Sequence, residues 1–363
     1  MNTLEVRRFG LRVGKILRSR FGKPRKTYFH HRTEQYAKIW AHASDACGAR
    51  LVRLAPDLWR AERAGIHVYL RNHEIQLDDP VILTMAGRKP LVHKLLAEAG
   101  LAVPPHRVFS LRQIEPAMQF LAQHPEGVVV KPANGSAAGD GVSTHLRTPA
   151  QVRSAAVLAS LYDTEILVES QVPGESYRAL VVGGRMLHAV CRRGPRVTGD
   201  GRRTVRELLG AENAARKVRR QDAIQADADF RFTVNWQGFS MDGVVPEGSP
   251  VLLRTVENPE GGDREIRTVY NSAVTGLICH SIRADVERAA AVLGSDFLGV
   301  DLLMTDPGKP LAESGGSINE VNTTPALHHH YDATIEAYPP VAADVLNLAF
   351  RRRAEHGPSQ LAG

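Results

Sequence analysis

Three oxygen-bearing side chains stand where apolar strands would be expected to carry none. Glu320 and Asn322 lie two apart in "SINEVNTTPAL", residues 317–327, and Asp301 closes the run "FLGVD". In an extended strand, side chains two apart point to the same face, so Glu320 and Asn322 present their oxygens side by side. Charge inside apolar strands is costly unless it is paired or bound to a cation. An oxygen-only donor set suits a hard cation, Mg²⁺ or Mn²⁺, better than zinc. Magnesium keeps few protein ligands and fills its shell with water and phosphate oxygens, so the trio points to a phosphorylated ligand.

Two further stretches supply the complementary groups. "VVVKPANGSAAGDGV" delivers Lys131 at a strand end and follows it with Gly135, Gly139 and Gly141. Glycines let the backbone approach a ligand closely, and successive N–H groups can cradle phosphate oxygens. The loop is not a Walker A loop, because no Gly-Lys-Ser/Thr opens a helix. In "ILVESQVPGE", Glu169 closes an apolar strand and Glu175 follows Pro173-Gly174. A nucleotide base could lie against that strand end and a ribose could meet the carboxylate beyond. Taken singly, the first stretch also reads as a flexible hairpin and the second as an acidic turn.

The elements that must position these groups are legible as patterns. "KPLVHKLLAEAG" predicts a helix, with Pro90 near its start, Leu91, Leu95 and Leu96 as an apolar stripe, and Gly100 as its stop. Residues 176–191 predict a hairpin about Gly183-Gly184. "DFLGVDLLMTD" and the 317–323 stretch predict two strands joined by "PGKPLAESGG". "RADVERAAAVLG" predicts a helix ending at Gly294, and "PPVAADVLNLAFRR" a last helix. Residues 33–85 predict a small α/β unit, with a helix carrying Tyr36, Ile39, Trp40 and Ala43 and strands at "ARLVRLA" and "IHVYLRN". "TGDG" at 198–201 reads as a tight turn. "HHH" at 328–330 reads as loop or pocket polarity rather than a zinc site.

The chain has 363 residues and a formal net charge of +7. Ten Lys/Arg and one acidic residue fall in residues 1–32, so the rest of the chain is close to neutral. The basicity belongs to an N-terminal arm. That arm reads either as a solvated, partly helical leader or as a contact for an anionic surface or partner. No specific nucleic-acid partner is expected for the body. No apolar run approaches the ~20 residues of a membrane span, and no secretory signal is expected. Cys47, Cys191 and Cys279 are scattered and without CxxC spacing. That suggests a reducing, cytoplasmic location and no disulfide framework.

The order of parts — helix lysine, strand lysine, Gly-rich loop, Glu-closed hinge, Arg, then Asp…Glu-x-Asn — resembles the ATP-grasp superfamily. The likeness runs over roughly residues 86–350. It is strongest to the ligase region of cyanophycin synthetases and fused bacterial glutathione synthetases, through "VPGESYRALVVGGRMLHAVCRRGPRVTGDGRRTVREL", "VLLRTVENPEGGD" and "GGSINEVNTTPAL". The resemblance implies an α+β fold in which two lobes grip ATP, after a small α/β pre-ATP-grasp domain. Its boundaries are an arm at 1–32, the pre-domain at 33–85, a central lobe at 86–170, a C-terminal lobe at 171–350 and a disordered tail at 351–363.

The resemblance also implies roles. Lys131 and Lys94, with Lys89 the alternative to Lys94, would reach the ATP phosphates, and Ser136 would sit in the loop that closes over them. Glu169, Ser170, Gln171 and Val172 would form the adenine hinge, and Glu175 would hold the ribose. Asp301, Glu320 and Asn322 would bind Mg²⁺ or Mn²⁺. Arg254 would stabilise the transferring phosphoryl group with Asn258 nearby, while Arg178 and Arg193 would contact phosphate or a substrate carboxylate. The implied activity is ATP-dependent carboxylate–amine ligation on amino acids or small peptides, in a possible homo-oligomer. A phosphotransferase and a non-catalytic nucleotide-binding protein are the alternatives.

Overall fold

The structure, a computed structural model, describes residues 3–21, 26–134, 141–219, 223–254, 271–330 and 341–355. The chain divides into two compact units, residues 1–191 with 272–363, and residues 192–271.

The larger unit is built on three antiparallel sheets. The first is a meander of Arg50–Ala55, Leu58–Arg63, Ile66–Arg71 and Glu74–Ile75. The helix Lys26–Ala46 lays Tyr36, Ile39, Trp40 and Ala43 against it, in one core with the last helix, Val341–Glu355. The strand Leu58–Arg63 was not expected. Its alternation, Trp59 and Ala61 buried on either side of Arg60, is the signal that marks it. The last helix runs to Glu355, beyond the expected boundary at 350. The first helix, Thr3–Phe21, is tied to the body by Glu5 to Arg112 at 3.0 Å and Arg7 to Ser154 at 3.3 Å.

The second sheet has the order His106–Phe109, Ile166–Ser170, Val128–Pro132, Ser143–Leu146. Val128–Pro132 and Ile166–Ser170 are its two inner strands. Both are apolar throughout except for Lys131 and the Glu169-Ser170 end. A strand paired on both edges and packed against helices leaves no room for water, which is why these runs read as continuous hydrophobic segments.

The third sheet has the order Asn271–Ala273, Arg185–Arg192, Glu175–Val182, Phe297–Met304, Ser317–Thr323. Leu298, Val300, Leu302 and Met304 face one core with the helices His280–Leu293 and Lys89–Glu98. Phe297, Leu180 and Val182 face the other, under the last helix. Gly294 ends the helix His280–Leu293 at φ +66°, the left-handed cap the sequence predicts. No helix among the described residues is long and apolar enough to cross a membrane.

The smaller unit has its own core of Val205, Leu208, Leu209, Ile224, Phe230, Val234, Val245, Val251 and Leu253. Its helix Val205–Val218 starts in a reciprocal capping box between Thr204 and Glu207. The "TGDG" turn is an Asp200 cap: its carboxylate accepts the N–H groups of Arg202 and Arg203, and Gly201 takes φ +71°.

Candidate functional site

The site grows from a row across three strands. Asp301 lies opposite Arg178 on one neighbour and opposite Glu320 on the other. Side chains directly opposite one another across antiparallel strands share a face, so the row is a consequence of register. Asp301 is almost fully buried, which demands a partner. Arg178 supplies it as a fork: Nε donates to Oδ1 at 2.7 Å and Nη2 to Oδ2 at 2.8 Å. Asn322 completes the group, with its Nδ2 donating to Asp301 Oδ2 at 3.4 Å.

The edge strand then breaks its own alternation. Asp301 pairs with Glu320 but the next residue, Leu302, pairs with Ile318, so Asn319 is an extra residue in a β-bulge. The bulge lets Ile318 and Val321, three apart, both reach the core. It also turns two consecutive polar residues toward two lysines. Lys89 Nζ stands 3.7 Å from Glu320 Oε1, and Lys131 Nζ donates to Asn319 Oδ1 at 3.3 Å. Asn319 was not among the residues read from the sequence. The three-residue spacing of Ile318 and Val321 was the available signal, since a regular strand buries every second residue.

Lys131 has a second partner. It pairs at 2.7 Å with Glu169, two residues beyond its register partner Leu167 on the same face of the neighbouring strand. Both are nearly fully buried, and Glu169 Oε2 has no hydrogen-bond partner among the described residues. Beyond Glu169 the chain leaves the sheet in a fixed path. Ser170 N–H donates to Pro105 O at 3.0 Å and Gln171 N–H to Gly127 O at 3.1 Å. The Gln171 side chain accepts the His145 N–H at 2.9 Å, and Val172 is buried. Gly174, at φ +103°, passes so close to Met304 that a Cβ would sit 2.1 Å from its carbonyl oxygen. Only glycine makes that turn, and it delivers Glu175 to the strand opposite Met304.

The two helix lysines are placed differently. Lys94, favoured over Lys89 as the helix lysine that faces the nucleotide, is 70% exposed and pairs with Glu98 one turn on. Lys89 is the buried lysine beside Glu320. Five residues of helix turn through 500°, so the two lysines point about 140° apart and cannot share a face. Lys89 begins the helix, and its N–H donates to Ala133 O at 3.2 Å, just past the Lys131 strand. Burial pulls the Lys89 pKa down, against the pull of Glu320, which raises it.

The other expected residues are placed as follows. Arg254 and Arg193 belong to the smaller unit, where Arg254 pairs with Asp227 and reaches Gln225 O at 3.3 Å. Ser136 and Asn258 lie outside the described residues. His328, His329 and His330 form a short buried 3₁₀ turn. His328 Nδ1 is 2.8 Å from the Tyr36 hydroxyl, and His330 Nδ1 is 2.9 Å from His188 Nδ1. Among the described residues, no three His, Cys, Asp or Glu side chains gather to hold a metal.

Asp301, Glu320 and Asn322 fit a hard divalent cation in donor chemistry. They offer only oxygen ligands, two of them in register and the third within hydrogen-bond reach of the first. Lys89, Lys131 and Arg178 surround them with positive charge suited to phosphate oxygens.

No family model matches the chain. It is 30% identical over 271 residues to a cyanophycin synthetase of Synechocystis sp., an alignment covering 70% of this chain and 29% of that protein. It is 28% identical over 290 residues to the glutathione biosynthesis bifunctional protein GshAB of Streptococcus thermophilus, covering 75% of this chain and 36% of that one. The chain therefore spans about a third of the length of these curated relatives. Among solved structures, a bifunctional glutathione synthetase from Pasteurella multocida superimposes with a TM-score of 0.55 at 21% identity, over 85% of this chain and 43% of that one. That likeness shows the fold. In sequence the chain is similar to these curated synthetases over about 270–290 residues, and in fold to the glutathione synthetase.

Proposed function

We propose that this chain is an ATP-dependent ligase that joins a carboxylate to an amine. The observation that carries the reading is the convergence of two buried lysines, Lys89 and Lys131, on the bulge pair Asn319-Glu320, beside the Arg178–Asp301–Asn322 group. A carboxylate is a poor electrophile. Its oxygen attacks the γ-phosphorus of ATP, the bond to ADP breaks, and an acyl phosphate forms. An amine nitrogen then attacks the carbonyl carbon, phosphate leaves with the bonding pair, the amine gives up a proton, and an amide remains.

The barrier lies in gathering negative charge, so positioning and electrostatics do most of the work. Lys89 and Lys131 bind the phosphates and spread their charge. Asp301, Glu320 and Asn322 would hold magnesium, which would supply positive charge to offset that of the phosphates. The adenine rests on the 169–172 segment and the ribose on Glu175. The family resemblance assigns Ser136, which lies outside the described residues, to the loop that would keep water from the acyl phosphate. The family resemblance assigns Arg254 the stabilising of the transferring group. Residues 86–170 and 171–350 are the two lobes that grip ATP, preceded by the 33–85 domain. The substrates are amino acids or small peptides, the class suggested by the names of the relatives.

The test is incubation with ATP, Mg²⁺ and a panel of amino acids and dipeptides, read by phosphate release and mass spectrometry. Phosphate release only when acid and amine are both present, with the mass of the amide, supports the ligase. A stable phosphorylated product, or no turnover with any pair, overturns it.

A further inference from the structure

The helix that carries Lys89 touches the bulge a second time. His93 follows Lys89 by four residues, one turn along the same face, and is almost fully buried. Its Nε2 lies 2.9 Å from the backbone carbonyl oxygen of Asn319, the extra residue of the bulge. A carbonyl oxygen only accepts, so Nε2 carries the proton and Nδ1 is the bare nitrogen. Nδ1 has no hydrogen-bond partner among the described residues. The ring packs edge-on against His106, with centroids 5.0 Å apart.

The Asn319 backbone matters because of what it aims. A bulge on an edge strand has lost a ladder hydrogen bond, and a one-residue slip would exchange the faces of Asn319 and Glu320. We propose that His93 is a positioning residue that clamps the bulge at the Asn319 carbonyl and so holds Asn319 toward Lys131 and Glu320 toward Lys89 and the cation site. One helix thus supplies both the lysine and the clamp that sets its partner. Burial, with the nearby Lys131 charge, lowers the His93 pKa to about 3, which keeps the ring neutral. A leucine in its place therefore removes a hydrogen bond and no charge. This inference rests on the nucleotide-site reading above, deepens it by one residue, and is tested so that the two can fail separately.

The experiment compares the wild-type chain with His93→Leu, which fills the space without a donor, and His93→Gln, whose amide can still donate. Calorimetric titration with a non-hydrolysable ATP analogue over a range of Mg²⁺ concentrations reads the cation dependence of binding. His93→Leu is expected to raise the Mg²⁺ needed for half-maximal binding about tenfold, while analogue affinity at saturating Mg²⁺ changes less than threefold. His93→Gln is expected to restore most of the difference. Equal Mg²⁺ dependence in wild type and His93→Leu, or His93→Gln as impaired as His93→Leu, overturns the role of His93 alone. No Mg²⁺-dependent binding by the wild type overturns the nucleotide reading together with it. Nitrogen-15 spectra of the imidazoles, with His93 assigned by the signal lost in His93→Gln, give a readout free of both ligand and variant stability. An Nε2–H tautomer is expected, and an Nδ1–H tautomer or a charged ring at neutral pH overturns the clamp.

Discussion

Two ion pairs meet side by side at the same row of the sheet, and they differ in depth and geometry. Asp301 is sealed from water and gripped by both arms of Arg178 at 2.7 and 2.8 Å. Glu320, directly opposite, keeps 28% of its side chain exposed and stands 3.7 Å from a single ammonium, that of Lys89. The first pair is a bidentate, desolvated contact, whose loss strands a buried charge. The second is longer, with Lys89 buried and only the carboxylate partly wet, so the pair itself contributes little to folding. Similar charges in adjacent positions thus differ in how tightly they are paired and in how far solvent reaches them.

The largest expected effects fall on chemistry. Glu320→Ala is expected to lower the steady-state rate of ADP formation by about 10³-fold or more, in line with loss of electrostatic stabilisation at a charged transition state, with its melting temperature near wild type. Asp301→Ala should lose as much rate but also stability, because it leaves Arg178 buried without its carboxylate. Near-normal rates in both variants would remove the cation site. Arg178→Met comes next and breaks the comparison from the other side. It is expected to destabilise the chain by about 3–5 kcal/mol in denaturant unfolding, whereas Lys89→Met should cost under ~1 kcal/mol. Equal costs would mean that both pairs are structural.

A smaller effect depends on pH. His93 has a folded pKa of about 3, below its ordinary value of 6.5. Between those values the unfolded chain binds the extra proton and the folded chain does not, so stability falls as pH drops through the window and is flat above it. Relative to His93→Gln, the wild type should lose up to ~1.4 kcal/mol per pH unit below about 6.5. Parallel stability curves for the two proteins from pH 7 to 5 would contradict a buried neutral ring. The smallest contrast is between the two helix lysines. Lys89→Met should weaken binding of the ATP analogue about tenfold, roughly 1.4 kcal/mol, and Lys94→Met should leave it unchanged. The reverse result would restore the role first read for Lys94.

Much of this fold was legible locally. The inner strands are apolar runs interrupted only where a charge was needed, so Lys131, Glu169 and Asp301 stood out by type. Glu320 and Asn322 stood out by spacing, the helix at 280–293 was legible with its stop at Gly294, and the last helix, at 341–355, was legible as a helix. Less legible were features that depend on phase. The stripe of Leu91, Leu95 and Leu96 identifies a helix without stating which side meets the sheet, so which of Lys89 and Lys94 is buried was not legible. The strand at 58–63 was missed because its alternating arginines and glutamate resemble a polar loop.

The sequence by itself determined which side chains could do chemistry and on which kinds of element they ride, because hydrophobic period and residue type are local properties. Only the tertiary structure decided how those side chains meet. It buried Lys89 and exposed Lys94 through the rotation of their helix, set Arg178 opposite Asp301 through strand register, and turned Asn319 and Glu320 together through one extra residue at a sheet edge. Each of these is a relation between segments far apart in the chain. It is settled by which arrangement buries the apolar faces and leaves no charge unpaired, a condition that no single segment can express.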